Sequence, residues 1–188
     1  MDRTPLLEMA PETLDTATGK ARDLLEGAKA KLGFVPNMYG YMARLPGVLE
    51  TYLSSYDAFR ETSGFSPAEQ ETVFLTVSRI NGCAYCMAAH SMIADKMSEV
   101  PADSLAALRA GEDLPDPDLQ AVAAFTAAVV EGRGNPGKAA VDAFLTAGYG
   151  EAQVLGVVLA IACKTLSNSV NHLAATPVDE VFAPYKVT

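Results

Sequence analysis

The chain has 188 residues, 49% of them hydrophobic and 20% charged, enough to bury one continuous core and giving no reason to split it; we read residues 1–188 as a single domain. A formal net charge of -9 argues against nucleic acid or an anionic membrane as the main partner. The N-terminal run Met1-Asp2-Arg3-Thr4-Pro5 has no apolar core of signal-peptide type, and the longest apolar run, Val154 to Cys163, is about half a membrane span, so a cytoplasmic location is expected.

Alanine and leucine are abundant, strand-like alternation is scarce, and proline and glycine fall at intervals that mark helix starts and stops, which predicts an all-α fold. A first helix is expected from about Thr16 to Lys31, ended by Gly33 as a left-handed cap. After the linker Phe34-Val35-Pro36-Asn37 comes a short helix to about Arg44, then one opened by Pro46 and stopped by Gly64. Ser66-Pro67-Ala68-Glu69 is a capping box with proline at the first helical position, predicting a helix to about Ile80. Asn81-Gly82 is a turn, and the next helix carries Cys83 to about Met97, placing the central motif in residues 66–97. Further helices are expected over Ala102 to Arg109, Pro117 to about Glu131, about Lys138 to Thr146, and Glu151 to His172. The last has no polar face over Val154 to Cys163, so it is either central in the core or partly covered by another subunit, and an oligomer is favoured.

Chemistry concentrates in Cys83, Cys86 and His90. On a helix this spacing puts two thiols and an imidazole on one face, and Cα atoms three residues apart lie roughly 5 Å from each other, within reach of a disulfide. Two of the three cysteines in a CxxC do not make a secreted disulfide framework; in a reducing compartment such a pair is catalytic or metal-binding. Cys163, in an apolar helix, reads as a small buried hydrophobe. Glu71 lies about 15 Å before the Asn81-Gly82 turn and His90 about 12 Å after it, nearly level on two antiparallel helices. The inferred relay is Glu71 to His90 to Cys86, in which the carboxylate fixes the imidazole tautomer. Cys86, nearer His90, is then the attacking sulfur, and Cys83 condenses with its sulfenic acid to close the disulfide. An external dithiol must reopen it; no tightly bound cofactor or metal is expected.

Glu71, eleven residues, Cys83, two residues, Cys86, three residues and His90 is a spacing that resembles the alkylhydroperoxidase D-like (AhpD-like) branch of the carboxymuconolactone decarboxylase superfamily. Leu32-Gly33-Phe34-Val35-Pro36-Asn37 upstream, and Asn168 to His172 with Thr176-Pro177-Val178-Asp179 downstream, are similar to its peroxidase-related members, so the resemblance covers nearly the whole chain. It implies an all-helical fold, a homo-oligomer (trimer or hexamer), and a thiol peroxidase or disulfide reductase. It also implies that Cys86 reacts with a hydroperoxide, that Cys83 resolves it, and that a lipoyl-bearing or other dithiol protein supplies electrons. Those members carry a second histidine between the cysteines where this chain has Tyr85, a poor base.

Rival readings are a zinc site, which lacks a second CxxC or histidine pair, and a non-enzymatic redox sensor or disulfide-exchange module. A decarboxylase-like lyase ranks last, because members with that activity lack the redox CxxC. Asn168, Asn171 and His172 either line the same cavity or satisfy backbone groups at a helix end. Met87, Met92 and Met97 are expected to fill core gaps.

Overall fold

Proline and glycine set the helix boundaries where the sequence puts them. The computed structural model describes residues 4–187; Met1, Asp2 and Arg3, and with them most of the N-terminal run read above, lie outside the described residues together with Thr188. The helices are α1 (Gly19–Leu32), α2 (Asn37–Met42), α3 (Pro46–Thr62), α4 (Pro67–Ile80), α5 (Ala84–Lys96), α6 (Ala102–Ala110), α7 (Pro117–Glu131), α8 (Lys138–Thr146) and α9 (Glu151–Ala174). A short 3-10 helix, Glu180–Tyr185, follows. No strand occurs among the described residues, so the all-α expectation holds.

The differences from expectation are local. Helix α1 starts at Gly19 rather than Thr16, because Thr13 and Thr16 spend their side chains on a turn of their own: Thr13 N–H donates to Thr16 Oγ1 at 2.9 Å, and Thr16 Oγ1 donates to Glu12 Oε2 at 2.7 Å. Cys83 is the N-cap of α5 and not its first turn; its N–H is taken by Ser78 O at 2.9 Å. The capping box is present, with Ser66 N–H donating to Glu69 Oε2 and Glu69 N–H to Ser66 Oγ. Met97 lies on the surface, 71% exposed, and fills no core gap.

Helix α4 is the axis of the bundle. Gln70 to Ser78 is buried without interruption, against α5, α7 and α9. Most of the polar side chains in this run find partners within the bundle, Thr76 Oγ1 being an exception. Thr72 and Ser78 return their hydroxyls to Ala68 O and Phe74 O, and Gln70 Nε2 donates to Arg60 O and Phe65 O. The larger core cluster gathers Phe59, Phe65, Phe74, Phe125 and Phe144 between α3, α4, α7, α8 and α9, and a smaller one gathers Leu75, Met87, Leu105 and Leu108 under α6. Phe144 stacks between Phe125 and Tyr149, with centroids 4.3 and 4.5 Å away.

Helix α9, 24 residues long, is long and apolar enough to cross a membrane by length and composition. Its inner face nonetheless packs on α2, α3, α4 and α7 and turns Lys164, Ser167, Asn168 and Asn171 inward, the arrangement of a core helix. Its outer face leaves Leu155 68% exposed, with Val158 and Leu173 beside the same stripe.

Candidate active site

The Asn81-Gly82 turn folds α5 back along α4, with Gly82 at a φ of 64 that an L side chain tolerates poorly. This brings Glu71 and His90 into direct contact, Nδ1 to Oε2 at 2.8 Å, both buried. An ionised carboxylate only accepts, so Nδ1 carries the proton of a neutral His90 and Nε2 is the basic nitrogen. The other Glu71 oxygen takes the guanidinium of Arg60 from α3, which also donates to Gln70 Oε1 at 3.0 Å and Tyr56 Oη at 2.8 Å. Burial opposes charge on Glu71, but His90 and Arg60 outweigh it and hold the carboxyl below its ordinary range. Burial, then the nearby Lys164 ammonium, lowers His90, against the pull of Glu71, so His90 is neutral near neutral pH. Its ring rests on Phe74, centroids 4.8 Å apart.

Both sulfurs are reduced and buried. Asn171 of α9 bridges them: its Nδ2 lies 3.3 Å from Cys86 Sγ, 3.7 Å from Cys83 Sγ and 3.2 Å from Met38 Sδ. Ser167 Oγ is 3.8 Å from Cys86 Sγ. One turn earlier on α9, Lys164 is fully buried, with Nζ 5.4 Å from the Phe74 ring centroid and no conventional hydrogen-bond partner. A cation in such a place needs an anion. Glu71 is already engaged by Arg60 and His90, and the sulfur of Cys86 is the anion within Lys164's electrostatic reach. Burial opposes ionisation of Cys86, but a hydrogen bond from the Cys83 thiol and the Lys164 ammonium together hold its pKa well below that of a free thiol. Cys83 moves the other way, raised by that same hydrogen bond and by burial. No hydrogen bond joins His90 to Cys86; the two interact through space. Cys163 is buried, and burial raises its thiol.

The profile of the Carboxymuconolactone decarboxylase family matches residues 46–129, a span that contains Glu71, Cys83, Cys86 and His90. Among solved structures, the chain is similar to the AhpD core of an uncharacterized peroxidase-related protein from Ralstonia eutropha JMP134, with a TM-score of 0.81 and 21% identity over 96% of each chain.

The chain has the AhpD-like fold.

An uncharacterized peroxidase-related protein from Silicibacter sp. TM1040 shares this AhpD-like fold, at TM-score 0.72 and 21% identity over 94% of this chain and 91% of that one. So does the debrominase Bmp8 in complex with 2,3,4-tribromopyrrole, at TM-score 0.76 and 17% identity over 95% of each chain. No protein of curated function matches the sequence.

In this AhpD-like chain Tyr85, which stands between the cysteines, turns its hydroxyl away from them and donates to Asp179 Oδ2 at 2.5 Å. Burial and that carboxylate raise its pKa, so it is a hydrogen-bond donor and not a base. Asp179 also accepts from the N–H of Asn37 at 3.1 Å, and Asn37 Nδ2 donates to Pro177 O at 3.0 Å, so the two flanking motifs of the sequence meet on one clamp. Beside that clamp a cavity of about 360 Å³ opens on Cys83, lined also by Tyr85, Asn171, His172, Thr176 and Lys186. Cys86 is not among the lining residues and lies behind Cys83 and Asn171.

The sequence-predicted Glu71, Cys83, Cys86 and His90 are thus gathered in one place. Sequence reasoning missed Lys164, Arg60 and Ser167, and left Asn171 undecided. A signal for α9 was present: Lys164, Ser167, Asn168 and Asn171 recur at intervals of three and four on an otherwise apolar helix, a polar face with nowhere to go but inward. Arg60 had no such signal, since its role exists only where α3 crosses α4. Among the described residues no group of three or more His, Cys, Asp and Glu side chains is gathered so as to hold a metal ion.

Proposed function

We propose that this protein is a thiol-dependent oxidoreductase that reduces hydroperoxides through a Cys83–Cys86 disulfide cycle. The observation that carries the reading is Lys164, fully buried and without a carboxylate, set against a sulfur whose partner cysteine stands three residues away. His90 Nε2 takes the proton of the Cys86 thiol, the thiolate attacks the terminal peroxide oxygen, the O–O bond breaks, and the alkoxide takes that proton back from His90, which Glu71 orients. Cys83 then attacks the Cys86 sulfenic acid, forming the disulfide and releasing water, and an external dithiol reduces it. Lys164 fills the electrostatic role that an imidazole at position 85 would otherwise share. A cycle that passes through free thiols suits a reducing cytoplasm, and the exposed apolar stripe of α9 supports self-association.

The test is hydroperoxide consumption with a dithiol such as dihydrolipoamide as sole reductant. The wild type turns over, and both Cys86→Ser and Cys83→Ser lose turnover; unchanged consumption in Cys86→Ser would sink the assignment.

A second reading, reductive dehalogenation, is favoured by the debrominase that shares the fold and by the cavity that opens on Cys83. Two thiols and an aryl bromide give the disulfide, the dehalogenated ring and hydrogen bromide, so the same cysteine cycle balances. Bromide release from 2,3,4-tribromopyrrole, with no consumption of hydroperoxide, would select it.

A further inference from the structure

Asn171 of α9 reaches both redox sulfurs through a single atom: its Nδ2 lies 3.3 Å from Cys86 Sγ and 3.7 Å from Cys83 Sγ, with Met38 Sδ at 3.2 Å. What surrounds the amide fixes its orientation. The Met38 thioether can only accept, and so can Cys86 as a thiolate, so the N–H groups face the sulfurs and the carbonyl faces away. That carbonyl oxygen, Oδ1, is buried and has no partner. For the fold alone a leucine of the same shape would serve better, since it leaves no polar atom unpaired. What the amide adds over a leucine is its nitrogen, and the three hydrogen-bond contacts of that nitrogen are all sulfurs.

A hydrogen bond to an anion is about twice as strong as one between neutral groups, and a disulfide sulfur is a neutral, weak acceptor. The same N–H groups therefore stabilise the reduced pair, with Cys86 ionised, more than they stabilise the disulfide. We propose that Asn171 is a further catalytic residue of the disulfide cycle proposed above, on which this inference rests: its amide sets the redox poise of the pair by favouring the state in which Cys86 is the thiolate. The step it favours is reduction. An external dithiol passes two electrons to the pair and itself becomes a disulfide. The Cys83–Cys86 bond breaks, Cys83 takes one of the dithiol's protons, Cys86 leaves as the thiolate and the second proton goes to solvent. Asn171 Nδ2 and the Lys164 ammonium both meet the charge that appears on Cys86, and a stabilised leaving thiolate also speeds the step. Around Cys86 stand Cys83, His90 and Tyr85 on the α5 side, Lys164 and Cys163 on α9, and Tyr39 and Tyr52 on α2 and α3, with Glu71 of α4 behind His90. Burial keeps Cys163 and the tyrosines neutral, and Asn171 bears no charge, so replacing it removes a donor and leaves the charges in place.

The test is the thiol–disulfide equilibrium of the purified protein in buffers of reduced and oxidised dithiothreitol, read by trapping free thiols with a maleimide and weighing the chain by mass spectrometry. Peroxidase turnover is not needed. Asn171→Leu is expected to shift the equilibrium about tenfold toward the disulfide, equivalent to about 30 mV, the size set by losing one hydrogen bond to a charged group. The wild-type potential loses one of two protons from its pH dependence as pH rises through the Cys86 titration, and in Asn171→Leu that break moves to higher pH. Asn171→Ala, which deletes the amide without demanding space, gives the same two changes. Asn168→Leu, which breaks the bond to Asn81 from the same helix, gives neither. A potential and a break that stay at the wild-type values in both Asn171 variants would overturn the role of Asn171 and leave the cycle standing. A wild type that forms no Cys83–Cys86 disulfide at any ratio of the buffer would overturn both, and the expected shift without hydroperoxide turnover in the wild type would overturn the peroxidase reading alone.

Discussion

Lys164 brings its charge into the centre of the bundle, and its effect is measurable on one sulfur. Replacing it by methionine keeps the volume and the apolar stem but removes the cation, so the Cys86 thiol should rise toward or above the free-thiol value of 9.0. Ultraviolet absorbance of the thiolate checks this, because burial holds Cys163 up, and hydrogen bonding and burial hold Cys83 up, so neither contributes at neutral pH. The sign also fixes a stability trend. A thiol depressed in the folded state contributes stability that is fully present above its unfolded value and is lost as pH falls through its folded value. Wild type should therefore gain stability over Lys164→Met as pH rises through neutrality toward 9.0. Tyr85→Phe separates clamp from chemistry. It removes the hydrogen bond to Asp179, costing about 1.5–3 kcal/mol in urea unfolding, and leaves the Cys86 titration where it was. A shift in that titration would return Tyr85 to the proton relay.

At the scale of elements, boundaries set by proline and capping chemistry fall where expected, and departures arise where side chains compete with the backbone or tertiary packing intervenes. The Ser66 capping box and the prolines at 46, 67 and 117 mark helix starts because their physics is contained within one turn. Glu71 and His90 were placed level by helix rise alone, and they meet. The start of α1 failed because side-chain hydrogen bonds of Thr13 and Thr16 compete with the helix, and the 3-10 helix at 180–185 owes its place to tertiary packing against α5. Helix α9 ends on Ala175 in the left-handed region, φ 47, a conformation that costs a non-glycine residue about 1 kcal/mol or more. Ala175→Gly should therefore raise stability to urea by about 1 kcal/mol. Because Ala175 lies in the wall of the Cys83 cavity, a change in reductant rate in the same variant would show that the cap also shapes the site.

At the scale of the whole molecule, polar and charged side chains from α3, α4, α5 and α9 converge on one point: Arg60, Glu71, His90 with the two cysteines, and Lys164. With Cys86 ionised, two cations face two anions, so the buried cluster is neutral as a set although each member alone is costly. The outer stripe of α9 is the counterpart feature, apolar and uncovered at Leu155, Val158 and Leu173. If self-association covers it, light scattering gives a multimer and Leu155→Lys lowers the mass toward that of one chain; a wild-type monomer at all concentrations would contradict this.

In the proposed cycle Cys83 and Cys86 form one redox couple driven from the Cys86 side. The most direct measurement is a thiol count with disulfide mapping by mass spectrometry, after one equivalent of cumene hydroperoxide is added to the reduced protein. Two of the three thiols are expected to disappear into a Cys83–Cys86 disulfide, and Cys83→Ser to stop at a sulfenic acid on Cys86. Three thiols still free after the peroxide has been given time to react would contradict it.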